Sequence, residues 1–456
     1  MINEDSVHES GAGIDRGRRT ALKLAGAGVA AGLASAFGRG AGAQGATELT
    51  FAFGPDDSGS LARLVDAFNA ENEGRIRVTH REMARESDDY YRQLRSDFEV
   101  GAGDVDVFGA DIIWTAEFAT RDWAQDLTGV FADGYASGDF LDAPLRTARY
   151  RRRVYGIPWY TDAGVLFYRR DLLEANGFDA PPTTWEELGE MARAVREAEG
   201  VEHGLVFQGA EYEGGVANAL EFIWNAGGRV LTGNISVAGT FGQGVIDPNV
   251  IVVDSEDSAR GLDTARRLVA DGVAPEAVTG FRELETHRVF LGGDAVFMRN
   301  WPFAYGLFGT EGVTLEPEQV GIAPIPLEGT GGRSYSCLGG WNLMLAAGSP
   351  HREAALEFVR FATAPERQRQ RAIEGGFLPT LAALYDDEAL LAEAPVLGVA
   401  RQAVENARAR PVSPYYASLS PRLARAFNLV LRGELDGREA VGRLQREMDT
   451  ILRRSR

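Results

Sequence analysis

One stretch decides the fold predicted for this chain: Gly156-Ile157-Pro158-Trp159-Tyr160-Thr161-Asp162-Ala163-Gly164. It continues one β-rich run and is followed by a second one at residues 165–168. We predict a strand that crosses between two lobes, with Trp159, Tyr160 and Asp162 facing the cleft. The alternative is an ordinary buried strand whose aromatic side chains belong to a core.

The composition is that of a large globular protein. The chain has 456 residues, of which 45% are hydrophobic, so it can bury more than one core. Aromatic residues at 9% and charged residues at 25% exclude a disordered or fibrous class. The formal net charge of −19 argues against a nucleic-acid partner, because nothing offsets repulsion by the phosphate groups. Of the 47 basic residues only Lys23 is a lysine, a bias that fits either nucleotide composition or a salt-adapted acidic surface.

The residue content gives no support for a disulfide or a metal site. Cys337 is the single cysteine, so no internal disulfide can form. The five histidines are scattered along the chain without a pair at metal-ligand spacing: His8, His80, His203, His287 and His351. We therefore expect neither a metal nor another cofactor.

Residues 1–43 have the pattern of a cleavable export signal. Arg18 and Arg19 precede an Ala/Gly/Leu-rich stretch that closes with small residues, and they resemble a twin-arginine signal. Ala21 departs from that pattern, which prefers phenylalanine. The apolar run is shorter than the roughly 20 residues of a membrane-spanning helix. We expect cleavage near Ala43, with no cysteine there for lipid attachment, and hence a freely diffusing periplasmic protein.

The first part of the remaining chain alternates strands and helices in the manner of an α/β lobe. Residues 48–53 predict a strand that runs into a polar loop, and the apolar spacing after it predicts a helix. Ligands of such sheets lie at the loops that follow the strands, which makes Asp57 a cleft candidate. Its alternative role is a helix cap or a solvated acid. Asp111 follows the buried strand 105–110 directly and has the clearest physical reason to face the crevice.

Several segments after the first crossing indicate a second lobe. Thr184 and Glu187 have capping-box spacing, and Trp185 between them is predicted to be a packing residue. Residues 205–208 predict a strand, after which Gln208 and Tyr212 are weaker candidates for the cleft. Residues 320–324 return, on this interpretation, to the first lobe.

Two further crossings are predicted where a tryptophan follows or joins an apolar strand. Trp301 is fixed between the strand-like residues 295–300 and Pro302. Trp341 follows Gly339 and Gly340, whose lack of side chains permits a close approach of the backbone or a turn. From residue 349 onward the chain is predicted to be mostly helical, apart from an extended loop at 410–416.

A set of motifs occurs in a specific order along the chain. In that order they are 104–108 with 111–114, the crossing 156–164 with 168–173, 299–302, 339–342 and 410–416. Together they resemble the family-1 extracellular solute-binding proteins, the sugar-binding subunits of ABC importers, and most closely their trehalose/maltose-binding branch. The resemblance implies an α/β, two-lobed periplasmic-binding-protein fold of class II type, with three interlobe crossings and a helical C-terminal region. It places residues 46–160 and 302–340 in the N-terminal lobe, and residues 161–301 and 341–456 in the C-terminal lobe.

The resemblance also implies a set of ligand-binding residues. Relatives contact sugar through the positions that match Asp111, Tyr160, Asp162, Trp301, Gly340, Trp341 and Arg410, and Asp57 joins them through a loop that aligns approximately. These residue types suit a sugar, because aromatic rings cover its C–H faces while charged groups hydrogen-bond its hydroxyls. The implied function is capture of a mono- or oligosaccharide of maltose or trehalose type by a monomer. Hinge closure would then present the sugar to a membrane permease.

Three alternatives stay open at this point. The same fold would hold a cationic ligand in a box of acids and aromatic rings. A glycoside hydrolase would also need paired acids, but an arginine near Asp111 and Asp162 is expected to keep both ionised. A subunit that presents its ligand to a signalling receptor would have the same sequence features.

Overall fold

The computed structural model describes residues 45–101, 104–231, 250–309 and 313–454. The predicted export signal at 1–43 lies outside this range. Eleven strands are present in the described residues: β1 (Thr47–Phe53), β2 (Ile76–Glu82), β3 (Val107–Asp111), β4 (Arg149–Tyr150), β5 (Arg153–Val154), β6 (Ile157–Ala163), β7 (Val165–Arg169), β8 (His203–Val206), β9 (Ala295–Asn300), β10 (Val320–Ala323) and β11 (Leu338–Leu345).

Helices surround these strands. Within the described part of the chain they are α1 (Ser60–Glu71), α2 (Ser87–Glu99), α3 (Thr115–Thr120), α4 (Thr128–Gly134), α5 (Asp142–Thr147), α6 (Arg170–Ala175), α7 (Trp185–Glu199), α8 (Glu213–Asn225), α9 (Glu256–Ala270), α10 (Glu283–Leu291), α11 (Arg352–Ala362), α12 (Pro365–Gly375), α13 (Glu388–Glu393), α14 (Val396–Glu405), α15 (Tyr416–Leu431) and α16 (Gly437–Arg454). None of these described helices combines the length and the apolar character that a membrane span needs.

The first sheet has five strands in the order β2-β1-β3-β11-β6. β1 runs parallel to β2 and β3, whereas β11 is antiparallel to both β3 and β6. Apolar residues of α1 and α11, such as Phe68 and Phe358, pack against this sheet, with their ring centroids 5.1 Å apart. The α-helix after β1 begins at Ser60 and buries the apolar stripe that the sequence spacing predicts.

The second sheet has four strands in the order β10-β7-β9-β8. Its core includes residues of α7, α8, α9, α15 and α16. The predicted capping box of Thr184 and Glu187 is present at the start of α7. Trp185 is 5% exposed and stacks on Phe222 at 4.5 Å, which confirms it as a packing residue.

The backbone passes between the two sheets at the predicted crossing. β6 belongs to the first sheet and β7 to the second, with Gly164 alone between them. A second passage leads from β10 in the second sheet to β11 in the first. A third runs along the loop between α14, which packs in the first core, and α15, which packs in the second.

Strand pairing corrects the sequence interpretation in three places. Trp301 was expected at a crossing between the lobes, but β9 before it and β10 after it both belong to the second sheet. Residues 320–323 were expected in the first lobe, but β10 pairs antiparallel with β7 and extends the second sheet. Residues 341–345 were expected in the second lobe, but they lie in β11, between β3 and β6 of the first sheet. Short apolar strands carry no mark of the sheet they join, because pairing is decided by partners distant in sequence.

The position of Trp159 also differs from the expectation that it faces the cleft. In the pairing of β6 with β11, Trp341 lies opposite Tyr160 and Asn342 lies opposite Pro158, so Trp159 is an extra residue at a β-bulge. Its ring is 1% exposed and packs in the first core, 5.8 Å from the ring of Phe51. For this residue the alternative interpretation as core was right.

A buried ion pair lies beside the first crossing. Arg299 on β9 donates two hydrogen bonds to Glu221 on α8, at 2.7 and 2.6 Å, and both side chains are 2% exposed. The carboxylate of Glu221 also accepts the backbone N–H of Cys337 at 2.9 Å, just before β11. A Cβ at Gly164 would collide with both charged side chains, so only glycine fits there. The pair therefore connects the first and the second of the three passages between the sheets.

We predict that Arg299→Met lowers the free energy of unfolding by about 3–5 kcal/mol, because it leaves the Glu221 carboxylate buried without its partner. Urea denaturation followed by circular dichroism measures this change. Arg401→Met is the matched control, since Arg401 pairs with Asp386 at the surface and should leave stability nearly unchanged. Equal effects of the two substitutions would contradict the structural role assigned to the buried pair.

Candidate functional site

A cavity of about 230 Å³ lies where the loops of the two sheets meet. Its wall contains every residue that the sequence analysis singled out as ligand-binding: Asp57, Asp111, Tyr160, Asp162, Trp301, Gly340, Trp341 and Arg410. Segments far apart in sequence, from β1 to the loop before α15, thus converge on one space. Within the described residues no group of three or more His, Cys, Asp or Glu side chains is arranged to hold a metal ion.

Arg410 connects carboxylates from opposite sides of the cavity. Its guanidinium donates to Asp111, at the end of β3, at 2.7 Å and to Glu213, at the start of α8, at 2.8 Å. Asp111 accepts two further hydrogen bonds, from the Ser87 hydroxyl at 2.9 Å and from the Ile113 backbone N–H at 3.2 Å. Both oxygens of Asp111 are therefore engaged, while Arg410 Nε is buried without a partner.

Glu213 is held in place from several directions. It accepts hydrogen bonds from the hydroxyl groups of Tyr416, at 2.6 Å, and Ser420. Burial raises the pKa of Glu213 to about 7, although the nearby Arg410 favours its charged form. The backbone N–H of Glu213 donates to Asp88 on α2 at 3.0 Å, a second link between the two sides.

Asp162 is the least satisfied acid of the cavity wall. It is 6% exposed, and its Oδ1 has no hydrogen-bond partner among the described residues. Burial raises the pKa of Asp162 to about 8; Asp111 adds to the increase, whereas Arg299 opposes it. The expectation that an arginine keeps Asp162 ionised was wrong, because no guanidinium group of the described residues hydrogen-bonds to it and burial outweighs the more distant charges.

The aromatic residues of the cavity wall are held by different kinds of contact. Trp341 is partly buried and stacks on Tyr90, with ring centroids 5.6 Å apart and an interplanar angle of 16°. Trp301 lies over the guanidinium of Arg299 at 4.2 Å and donates its N–H to Glu283 at 3.3 Å. Tyr160 is 7% exposed in the cavity wall. These contacts fix the orientation of each ring before any ligand arrives.

Gly340 allows β11 to pass close to β6. Its φ is +120°, a conformation that strongly favours glycine, and a Cβ there would lie 2.6 Å from the carbonyl oxygen of Tyr160. Gly340 therefore lines the cavity with backbone alone.

The two acidic residues in the loop after β1 make different contacts. Asp57 forms a bidentate ion pair with Arg85, both contacts at 2.8 Å, and its side chain is 54% exposed at the rim of the cavity. Asp56 instead accepts hydrogen bonds at the start of α1, including that of the Leu61 N–H at 2.7 Å. The helix-capping alternative considered for Asp57 thus applies to its neighbour.

The two weaker candidates have different outcomes. Tyr212 lines the cavity and donates its hydroxyl to Glu283 at 2.6 Å. Gln208 is fully buried away from it, where its side-chain oxygen accepts from Arg299 at 3.1 Å and its amide donates to the Arg299 carbonyl.

Helix α10 contributes residues that the sequence analysis missed. Glu283, Leu284 and His287 lie on one face of this helix and line the cavity, as does Glu86 from the start of α2. Burial, followed by repulsion from Glu283, raises the pKa of Glu86 to about 7. Glu283 and His287 are four residues apart, the spacing at which side chains share a helix face, so this polar pair was the available signal.

The chain matches the family model described as "Bacterial extracellular solute-binding protein" over residues 54–369. A probable ABC transporter-binding protein of Deinococcus radiodurans is 31% identical over 416 residues, covering 90% of this chain and 94% of that protein. A maltotriose-binding protein of Pyrococcus abyssi is 24% identical over 68% of this chain and 65% of that protein.

Solved structures share the fold. The maltose-bound MalE3 of T. maritima has a TM-score of 0.80 and 33% identity, with 89% of this chain and 100% of that chain covered. The GacH receptor of Streptomyces glaucescens has a TM-score of 0.76 at 22% identity, with 90% and 99% covered. The two-lobed architecture of such binding proteins is therefore the architecture of this chain.

We predict that Asp162→Asn stabilises the protein increasingly as the pH rises from about 4 to about 8. The ordinary pKa of the aspartate is 3.8 and its folded pKa is about 8. Between these values the folded wild type binds the additional proton, so its stability falls as the pH rises, by at most about 1.4 kcal/mol per pH unit. The asparagine variant lacks this loss.

Urea denaturation of both proteins at several pH values measures the difference. Asp133→Asn, at an exposed position of α4, is the matched control. A stability difference for Asp162→Asn that stays constant between pH 5 and 8 would contradict the burial of an unpaired carboxyl.

Proposed function

Because the chain belongs to the family of bacterial extracellular solute-binding proteins, we propose that it binds a mono- or oligosaccharide of maltose or trehalose type in this cavity. The observation that carries the proposal is the combination of rings and unpaired polar atoms in one wall. Tyr160, Trp301 and Trp341 offer apolar surfaces for the C–H faces of a sugar. Asp162 Oδ1 and Arg410 Nε, from two residues of this wall, are buried without a partner among the described residues, and we expect them to pair with its hydroxyls.

The relatives support the same ligand class. The structure of T. maritima MalE3, at 33% identity, is described as maltose-bound. Further relatives are named a maltotriose-binding protein and, at 22% identity, a galactooligosaccharide-binding protein. A cleft that suits an oligosaccharide is consistent with all of these names.

The proposed mechanism is capture by hinge closure. The three passages between the sheets let the two lobes rotate around the ligand, and no bond of the ligand is broken. We propose that the protein acts as an exported, periplasmic monomer without a lipid anchor. Its ligand-bound form would be recognised by the permease of an ABC importer, a partner suggested by the name of the D. radiodurans relative.

A cationic ligand is the second candidate, and a specific observation favours it. The cavity wall contains more acids than bases: Asp56, Asp57, Glu86, Asp111, Asp162, Glu213 and Glu283 against Arg85 and Arg410. A protonated amine beside the rings would gain from both charge and cation–π attraction. The sugar remains the first candidate because arginine already neutralises Asp57, Asp111 and Glu213.

We predict that Trp301→Ala weakens maltose binding by roughly 30-fold or more, the loss typical of an aromatic residue central to a binding site. Isothermal titration calorimetry of the wild type and the variant measures it, with trehalose, maltotriose and spermidine as further ligands. Trp123→Ala is the control, since that ring is also partly buried but lies outside the cavity, 5.4 Å from Phe118.

Trp341→Ala is a less specific test, because this ring packs against Phe53, Tyr90 and Trp114 and its loss also lowers stability. Binding of spermidine without binding of any sugar would favour the cationic candidate over the carbohydrate.

We further predict no hydrolysis of maltose, trehalose or sucrose on prolonged incubation. A hydrolase needs one protonated and one reactive ionised carboxyl. Asp162 meets the first condition, but Asp111 has both oxygens occupied by Arg410, Ser87 and Ile113 and is a poor nucleophile or base. A glucose assay over several days measures the outcome. Release of glucose that depends on the presence of the protein would overturn the binding-only proposal.

A further inference from the structure

His287 is a buried polar residue whose surroundings leave one atom unexplained. It lies on the face of α10 that lines the cavity, and it is 3% exposed. Its Nε2 has no hydrogen-bond partner among the described residues. A buried polar atom without a partner is costly and needs an explanation in the function of the protein.

The imidazole ring is fixed by its neighbours. Phe303, which also lines the cavity, contacts it edge to face, with ring centroids 5.3 Å apart and an interplanar angle of 82°. Asn300, the last residue of β9, is a further neighbour of the ring.

The protonation state of His287 follows from the same contacts. Burial lowers the pKa of His287 to about 4, while Asn300 and Asp57 favour the charged form and Arg85 disfavours it. The ring is therefore neutral between pH 5 and 8. A neutral imidazole has one N–H donor and one acceptor nitrogen, so Nε2 can make one hydrogen bond in either tautomer.

We propose that His287 is a ligand-binding residue, whose Nε2 makes a hydrogen bond with one hydroxyl group of the bound carbohydrate. This inference rests on the proposed function and adds to it a specificity-determining contact from α10. The geometry supports it, because the ring packs on Phe303 in the cavity wall and its Nε2 is buried without a partner among the described residues.

The contact gives selectivity against ligands that lack the hydroxyl. An analogue without it leaves Nε2 unpaired in a buried site, which is disfavoured far more strongly than the loss of one exposed hydrogen bond.

The state of the ring is tested without any ligand. Nitrogen-15 NMR of the histidine side chains at pH 7 should show the ring of His287 as neutral. His287→Phe, which removes the unpaired nitrogen and keeps a ring beside Phe303, should retain or raise the thermal stability of the protein. A ring that is charged at pH 7, or a large loss of stability in His287→Phe, would overturn the proposal.

Binding is tested by calorimetry with maltose and its monodeoxy analogues as probes. His287→Phe should weaken maltose binding by about 10-fold or more, the effect of one lost buried hydrogen bond. For one deoxy analogue, the wild type and the variant should bind equally, because both lack the same contact. His287→Gln keeps an acceptor and should recover part of the affinity. His203→Phe, at the start of β8 outside the cavity, is the matched control.

The outcomes separate this inference from the function on which it rests. Wild-type binding of maltose that is unchanged in His287→Phe would overturn the role of His287 and leave the carbohydrate function intact. Equal losses for maltose and for every deoxy analogue would assign His287 a packing role and overturn the proposed contact. A wild type that binds neither maltose, trehalose nor maltotriose would overturn the carbohydrate function, and this inference with it.

Discussion

The buried ion pair of Glu221 and Arg299 is the constraint on which the position of the cavity depends. It joins α8 to β9, holds the backbone before β11 through the N–H of Cys337, and leaves no room for a side chain at Gly164. Such a pair contributes little net stability, because desolvation offsets the attraction between its charges. Its role is geometric: the guanidinium also supports the ring of Trp301, so the passages between the sheets and one wall of the cavity share a single fixed point.

Burial places the polar groups of the cavity in three different electrostatic states. Arg410 is ion-paired with Asp111 and Glu213, Asp162 holds a proton at neutral pH, and His287 is uncharged. Each state is a response to the same low-polarity surroundings, in which a charge persists only next to a partner. The protein thus holds these groups in fixed orientations, and a ligand does not have to order them one by one.

Sequence patterns predicted most of this arrangement, because alternating strands, helical spacing and acids after strands are local features. The acid Asp111 follows from the rule that ligands lie at the carboxyl ends of strands, and its place in the cavity agrees. Trp159 was misplaced since a β-bulge turned it into the core, and β10 was misplaced since its partner β7 is distant in sequence. His287 was missed because a lone histidine on a helix resembles any packed histidine until Phe303 and the cavity are located around it.

The unpaired atoms of the cavity determine what can hold the two halves together. Arg410 already links both sides through Asp111 and Glu213, so part of the interlobe contact is made by the protein itself. Against this, Asp162 Oδ1, Arg410 Nε and His287 Nε2 are buried without partners in the part of the chain that the structure describes, each at a cost of about 1–3 kcal/mol. A ligand shifts a conformational equilibrium only by its difference in affinity for the two states. That difference is greatest for a molecule that supplies donors and acceptors to all three atoms at once, since an open cleft would satisfy them with water.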